Sequence, residues 1–195
     1  MMSYAYDTIA DIIRLGEENN ISFGDVVLRY ELENYDRSED AVVREIENRL
    51  DIFESSIQDG IAYAEKTASG MSGGQAAQLN GQTPRFMSDI AYKAMTYAIA
   101  VNEANAKMFR IVACPTAGSC GVMPGAVKAV ADHYQLDRAT VVKGFLAASG
   151  IGNVVANRAC VAGAVSAAEC SAGYGQSTRD LTGCPKRAGT GAETC

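Results

Sequence analysis

Residues 88–109 read SDIAYKAMTYAIAVNEANAKMF, and this stretch decides the fold class. Ser88-Asp89 is a polar pair suited to capping a helix, because its side-chain oxygens can accept N–H groups that the first turn leaves without partners. Ile90, Ala94, Tyr97, Ala98 and Val101 then recur at helical spacing. The many alanines around them leave little side chain to hold a neighbour away, so this helix must pack closely on others. Asn102, Glu103 and Asn105 are polar groups near its end, just ahead of an irregular segment.

That segment, 114–125, reads CPTAGSCGVMPG. It is too irregular for a core element and too apolar for an ordinary solvent loop. Pro124 suits the first turn of a further helix over 125–134. Another helix is expected from Asp137 to Ser149, with Asp137 as cap and Val141, Val142, Phe145 and Leu146 facing inward. Towards the N-terminus, three patterns are helical. Ile9, Ile12, Ile13 and Leu15 form one stripe ending near Gly16 or Asn19-Asn20. A second begins at Ser22 and bears Val26, Val27 and Tyr30. Ser38 introduces the third, with Val42, Val43, Ile46, Leu50, Ile52, Phe53 and Ile57 at spacings of three and four. Strand patterns are hard to find apart from the short run 110–113. The expected fold is all-α: an N-terminal helical hairpin layer, 1–66, packed on a buried Ala/Gly-rich helical domain that extends to 170. The remaining residues, 171–195, lose apolar periodicity and read as a poorly ordered tail.

With 195 residues, 48% of them apolar, the chain can build one ordinary core. A net charge of -6 and no basic run exclude nucleic acid as the main partner. The N-terminus lacks the basic start and apolar stretch of a signal peptide, and no apolar run is read as long enough to span a bilayer, so no membrane partner and a cytoplasmic location are expected. The six cysteines are 114, 120, 160, 170, 184 and 195, with no CxxC among them. In a chain with no export signal they read as reduced thiols or metal ligands before disulfides.

Three glycine-rich, charge-poor segments, 69–74, 114–125 and 149–153, each adjoin an expected helix start. Glycine lets backbone N–H groups approach an anion, and a helix N-terminus adds partial positive charge. A small carboxylate would suit such loops; helix packing with no ligand is the alternative. GxGxxG and the P-loop pattern are both missing. His133 reads as an exposed surface residue, and Lys93, Lys107, Lys128 and Lys143 sit on amphipathic helices without standing out as a Schiff-base lysine. Few charged catalytic groups and several cysteines point to a metal or cluster.

Three stretches carry a family resemblance: VNEANAKMFRIVACPTAGSCGVMPGAV at 101–127, SGMSGGQAAQL at 69–79 and AASGIGNVVANRA at 147–159. Together they resemble the α subunit, or catalytic domain, of the iron-sulfur-dependent L-serine dehydratases, in which VNExNAxxGxIVAAPTAGSCGVxPG, SGxTGG and GGIGxVIAxNAS are expected. The resemblance covers roughly residues 5–165 in the family's order. It implies an all-α catalytic domain, a 4Fe-4S cluster, and deamination of L-serine to pyruvate and ammonia, with one iron acting as Lewis acid on the leaving hydroxyl. It further implies a β subunit or β domain and a homo- or hetero-oligomer. By match to the motifs, Ser69, Gly70, Ser72, Gly73, Gly74, Thr116, Gly118, Ser119 and Cys120 line the substrate pocket, with Asn102 and Asn105 in support. No base is assigned.

The family's cluster ligands are expected in GGCQAE, CDPVAG and VPC. Here the first place reads AGAVSAAECSAGYG, 162–175, and the later two motifs are missing. Cys160 and Cys170 are the nearest thiols, and neither matches a ligand position without a gap. A non-catalytic helical module that keeps the loops but binds no cluster is therefore the alternative from a different class, and a PLP-dependent dehydratase ranks behind both. The chain after about residue 165 reads as a truncated or out-of-frame replacement of the family's C-terminal half. The encoding nucleotide sequence, read in another frame downstream of that point, is expected to restore CDPV and VPC; if no frame does, the chain is a divergent member instead.

Overall fold

A computed structural model describes residues 3–35, 37–114 and 116–157. Among them are seven α-helices and no strand: α1 (Ile9–Asn19), α2 (Phe23–Tyr35), α3 (Glu39–Ala62), α4 (Gln75–Leu79), α5 (Asp89–Ala106), α6 (Val122–Tyr134) and α7 (Arg138–Ala156). The chain divides into two compact units. Of the described residues, those up to Glu39 together with 146–157 form the first, and those within Asp40–Phe145 form the second.

In the first unit, Thr8 caps α1 in a reciprocal arrangement with Asp11, and Asn20 ends the helix in the left-handed conformation at φ 52°. Ser22 and Asp25 form the same kind of reciprocal cap on α2, the Ser22 hydroxyl accepting the Asp25 amide at 3.2 Å. Of the apolar stripe expected on α1, Ile12 and Leu15 are buried, whereas Ile9 and Ile13 lie on its exposed flanks. Val26, Val27 and Leu28 of α2 and Leu146 and Val154 of α7 complete this core. Gly150 of α7 lies directly against α2, since a Cβ there would come within 2.3 Å of a Val27 methyl. That contact accounts for one correction to the sequence reading. The run 149–153 does not begin a helix; it lies within α7, because close packing at Gly150 outweighs the modest helix penalty of glycine.

The second unit is organised around α5. Ser88 accepts the Ala91 amide as its cap, as expected. On one side stands α3, which buries Val42, Ile46, Leu50, Phe53, Ser56, Ile57 and Gly60 as a single stripe. A Cβ on Gly60 would lie 2.0 Å from the Ala100 carbonyl oxygen. On the other side stands α6, where a Cβ on Gly121 would lie 2.2 Å from the Ala98 carbonyl and one on Gly125 2.6 Å from that of Ala94. The helices therefore touch backbone to backbone, as the alanine content of α5 predicts. Pro124 lies in the first turn of α6, which starts at Val122, earlier than expected.

Charged groups tie the outer surfaces together. Lys128 of α6 lies 2.7 Å from Asp132 and 3.6 Å from Glu54 of α3. Tyr97 of α5 donates to Asp132 at 2.9 Å; burial, and then this carboxylate, push the Tyr97 hydroxyl up to about 12. At the start of α7, where Asp137 accepts the Thr140 amide at 3.0 Å, Arg138 donates to the Glu47 carbonyl at 2.8 Å and pairs with Asp51 and Glu54. The Phe53 and Phe145 rings pack with centroids 5.6 Å apart, tilted by 48°.

Two further expectations need correcting. Residues 110–113 are irregular, not a strand, and the stretch that follows the glycine loop 69–74 forms the five-residue helix α4. By length and composition α7 also reaches what a membrane span requires, which the sequence reading did not recognise. Its hydropathy comes largely from Val and Ala; its Val142, Phe145, Leu146 and Val154 are buried, while Ile151 and Val155 are exposed. The tail, 171–195, lies outside the described residues.

Gly60→Ala is expected to destabilise the protein by about 1–3 kcal/mol or more, since a methyl group would meet backbone that has no room to yield. Gly144→Ala, where a Cβ meets nothing within 4 Å, is expected to stabilise α7 by up to about 1 kcal/mol. Chemical denaturation of the two variants beside the parent chain checks both signs.

Candidate functional site

The two motif loops are held by one turn of one helix. In an α-helix, residues three apart share a face, while the next residue along is turned by about 100°. Asn102 and Asn105 at the end of α5 accordingly face the loop 114–121. The Asn105 side chain donates to the Ala117 carbonyl at 3.0 Å, and the Cys120 thiol donates to the Asn102 amide oxygen at 3.6 Å. Glu103, on the next face, reaches the glycine loop 69–74. Its carboxylate accepts the Gly74 amide at 2.9 Å and the Gln75 amide at 2.8 Å.

Beneath both loops lies one buried cluster of Ile57, Ala76, Ala100, Val101 and Cys120, with Ile61, Tyr97, Ile99 and Ile111 packed against it. Ala76 directly follows the glycine loop and Cys120 closes the other. The two loops thus rest on the same patch of core, with fully buried aliphatic members worth about 1.5–3 kcal/mol each.

The glycine loop is shaped by its own backbone. Gly70, Gly73 and Gly74 all have positive φ, and a Cβ on Gly73 or Gly74 would lie 2.4 Å from the Glu65 carbonyl oxygen or 2.5 Å from that of Ala64. Only glycine permits both the conformation and the contact. The Thr67 amide donates to the Ser72 carbonyl at 2.9 Å, and the Gly70 amide to the Thr67 carbonyl at 2.8 Å. The Thr67 hydroxyl stands 3.1 Å from that of Ser69 and 3.5 Å from that of Ser72. Ser69 and Gly70 are exposed, Ser72 and Gly73 half-buried, and Gly74 buried.

In the second loop, Thr116 and Ser119 cap a 3-10 turn, Ala117–Ser119, reciprocally. The Ser119 hydroxyl also donates to the Cys114 carbonyl at 3.0 Å. Gly118 is exposed at the tip, Thr116 and Ser119 are half-buried, and Cys120 is fully buried. Asn102 is exposed and Asn105 half-buried.

Glu103 is the group whose role sequence reasoning missed. It stood out only as a polar residue, but the structure makes it a buried carboxylate, 3% exposed. Lys107, one helical turn on, lies 4.0 Å away and donates to the Tyr63 carbonyl at the end of α3. Hydrogen bonds to a charged group contribute about 1.5–3 kcal/mol each, so two amides and a cation offset the cost of burying this carboxylate. Its spacing of four from Lys107 was the legible part of the signal.

The described thiols are Cys114, half-buried, and Cys120. Burial pushes both thiols up from their ordinary value. Among the described residues no group of three or more His, Cys, Asp or Glu side chains could hold a metal ion. A 4Fe-4S cubane takes several thiolates together, so the described residues do not fit it. Cys160 and Cys170 lie outside the described residues. His133 is exposed on α6, against the edge of Tyr134.

A family profile described as "Serine dehydratase alpha chain" matches residues 18–179. The chain is 32% identical over 170 residues to the L-serine dehydratase alpha chain of Peptoniphilus asaccharolyticus, a match covering 86% of this chain and 58% of that one. It is 29% identical over 171 residues to the probable L-serine dehydratase alpha chain of Bacillus subtilis, covering 86% and 57%. Over 85 residues, 44% of this chain and 41% of the other, identity to the probable alpha chain of Latilactobacillus sakei is 42%. The chain spans little more than half the length of the first two relatives.

Alkylation requires the thiolate. A raised thiol value means that the fold favours the protonated form, so Cys120 is expected to resist iodoacetamide at pH 7.5 under conditions that fully label denatured protein. The same shift makes stability fall as pH rises from the ordinary thiol range towards the raised one. Peptide mapping by mass spectrometry checks the labelling, and early modification of native Cys120 would contradict it.

Proposed function

Since the chain belongs to the serine dehydratase alpha-chain family, we propose that it supplies the substrate-binding part of an L-serine ammonia-lyase that forms pyruvate and ammonia. The observation that carries this reading is the turn 102–105, which ties the SGMSGG and PTAGSCG loops to one helix end above one core cluster. A small zwitterionic substrate needs hydroxyl and backbone donors for its carboxylate, acceptors for its ammonium, and few protein charges. Ser69, Gly70, Ser72 and Gly73 line one wall; Thr116, Gly118 and Ser119 line the other. The Gly74 amide is already engaged by Glu103, so Gly74 shapes the wall from behind. Cys120, buried and bonded to Asn102, does the same for the second loop, with Asn102 and Asn105 in support.

An iron-sulfur cluster would supply Lewis-acid chemistry at the substrate hydroxyl. Its thiolates are to be sought beyond residue 157, where Cys160, Cys170, Cys184 and Cys195 stand, or in a second chain. The name "alpha chain" of the relatives implies a beta chain as partner. A second reading rests on the sequence, where the family's GGCQAE, CDPVAG and VPC motifs are not intact: a module that binds L-serine without turning it over.

The full-length chain, reconstituted anaerobically with iron and sulfide, is expected to release pyruvate from L-serine, followed by coupled reduction with lactate dehydrogenase. L-Serine binding measured by calorimetry, without pyruvate, supports the module. Neither binding nor turnover rejects both readings.

A further inference from the structure

A buried carboxylate is costly unless it has a task and partners. Glu103 has partners of an unusual kind, because they are the two amides that open α4. In the sequence reading, the glycine loop 69–74 that leads into them is where a substrate carboxylate would bind. The protein has placed its own carboxylate there, 2.9 Å and 2.8 Å from the Gly74 and Gln75 nitrogens. Lys107 then links the same carboxylate to the Tyr63 carbonyl at the end of α3, just ahead of the 64–66 segment against which Gly73 and Gly74 fold.

We propose that Glu103 is a positioning residue for the substrate site: by occupying the Gly74 and Gln75 amides it fixes the glycine loop on the same helical turn that holds the loop 114–121. The substrate carboxylate is thereby left to the loop hydroxyls and not to the α4 amides. This rests on the lyase reading for its substrate, while the loop-fixing part stands on geometry alone. Nothing in the arrangement has Glu103 touch the substrate. Its effect passes through the loop and falls on substrate affinity more than on the chemical step.

Glu103→Gln tests it, because the amide keeps the shape but turns an N–H donor towards one of the two backbone donors. In the full-length chain, KM for L-serine is expected to rise roughly tenfold or more, with kcat within about threefold of the parent. Amide exchange at Gly74 and Gln75 is expected to accelerate about tenfold, with that of Val101 unchanged. Unchanged kinetics in Glu103→Gln, or a fall in kcat at constant KM, overturns the proposal and leaves the lyase reading intact. A parent chain that neither binds nor turns over L-serine overturns the lyase reading; unaltered exchange at Gly74 and Gln75 then overturns the loop-fixing claim, and accelerated exchange supports it. If Glu103→Gln does not fold, Glu103→Asp, which withdraws the charge by one methylene, carries the same readouts, and parental values in it overturn the proposal.

Discussion

Contact between backbones along α5 is the constraint on which the second unit depends. Gly60 on α3, and Gly121 and Gly125 on α6, each come so near the carbonyls of Ala100, Ala98 and Ala94 that no side chain fits between them. Such packing fixes the helices in register, because a slide by one residue would drive a Cβ into a carbonyl oxygen. The last turn of α5 thereby acquires a fixed address relative to both neighbours. Side chains projecting from it can hold loops accurately without those loops having a core of their own.

This arrangement explains how loops rich in glycine and hydroxyls keep their shape. Each loop has internal bonds, Thr67 with Ser69 and Ser72 in one and Thr116 with Ser119 in the other. Each is also pinned at its far end by a buried residue, Ala76 or Cys120, in a common cluster. Charge is kept in the Glu103–Lys107 pair, away from the exposed loop tips at Ser69, Gly70 and Gly118.

Much of this was legible in the sequence, and the parts that were not share physical causes. The stripe of α3, the Ser88 cap and the alanine-rich face of α5 follow from period and cap chemistry, which are local. The helix α4 was hidden because five residues are too few to display a period. The break expected near Ser149 came from reading glycine by its intrinsic penalty alone, whereas at Gly150 the contact with Val27 decides. The candidate site residues were proposed by motif. Glu103 was noticed but left without a role, because its partners lie 28 and 29 positions earlier, a distance over which spacing carries no information.

Those separations also set what it costs to close each loop. The bonds from Asn105 and Cys120 close segments of only 12 and 18 residues, all lying between α5 and the start of α6. Glu103 must recover a loop more distant in the chain, with an entropic closure cost that grows with the length enclosed. The loop 114–121 can therefore form as α5 and α6 pair. The glycine loop, tied across 28 and 29 positions, carries the larger closure cost, by less than about 1 kcal/mol, and two hydrogen bonds to the Glu103 carboxylate offset it.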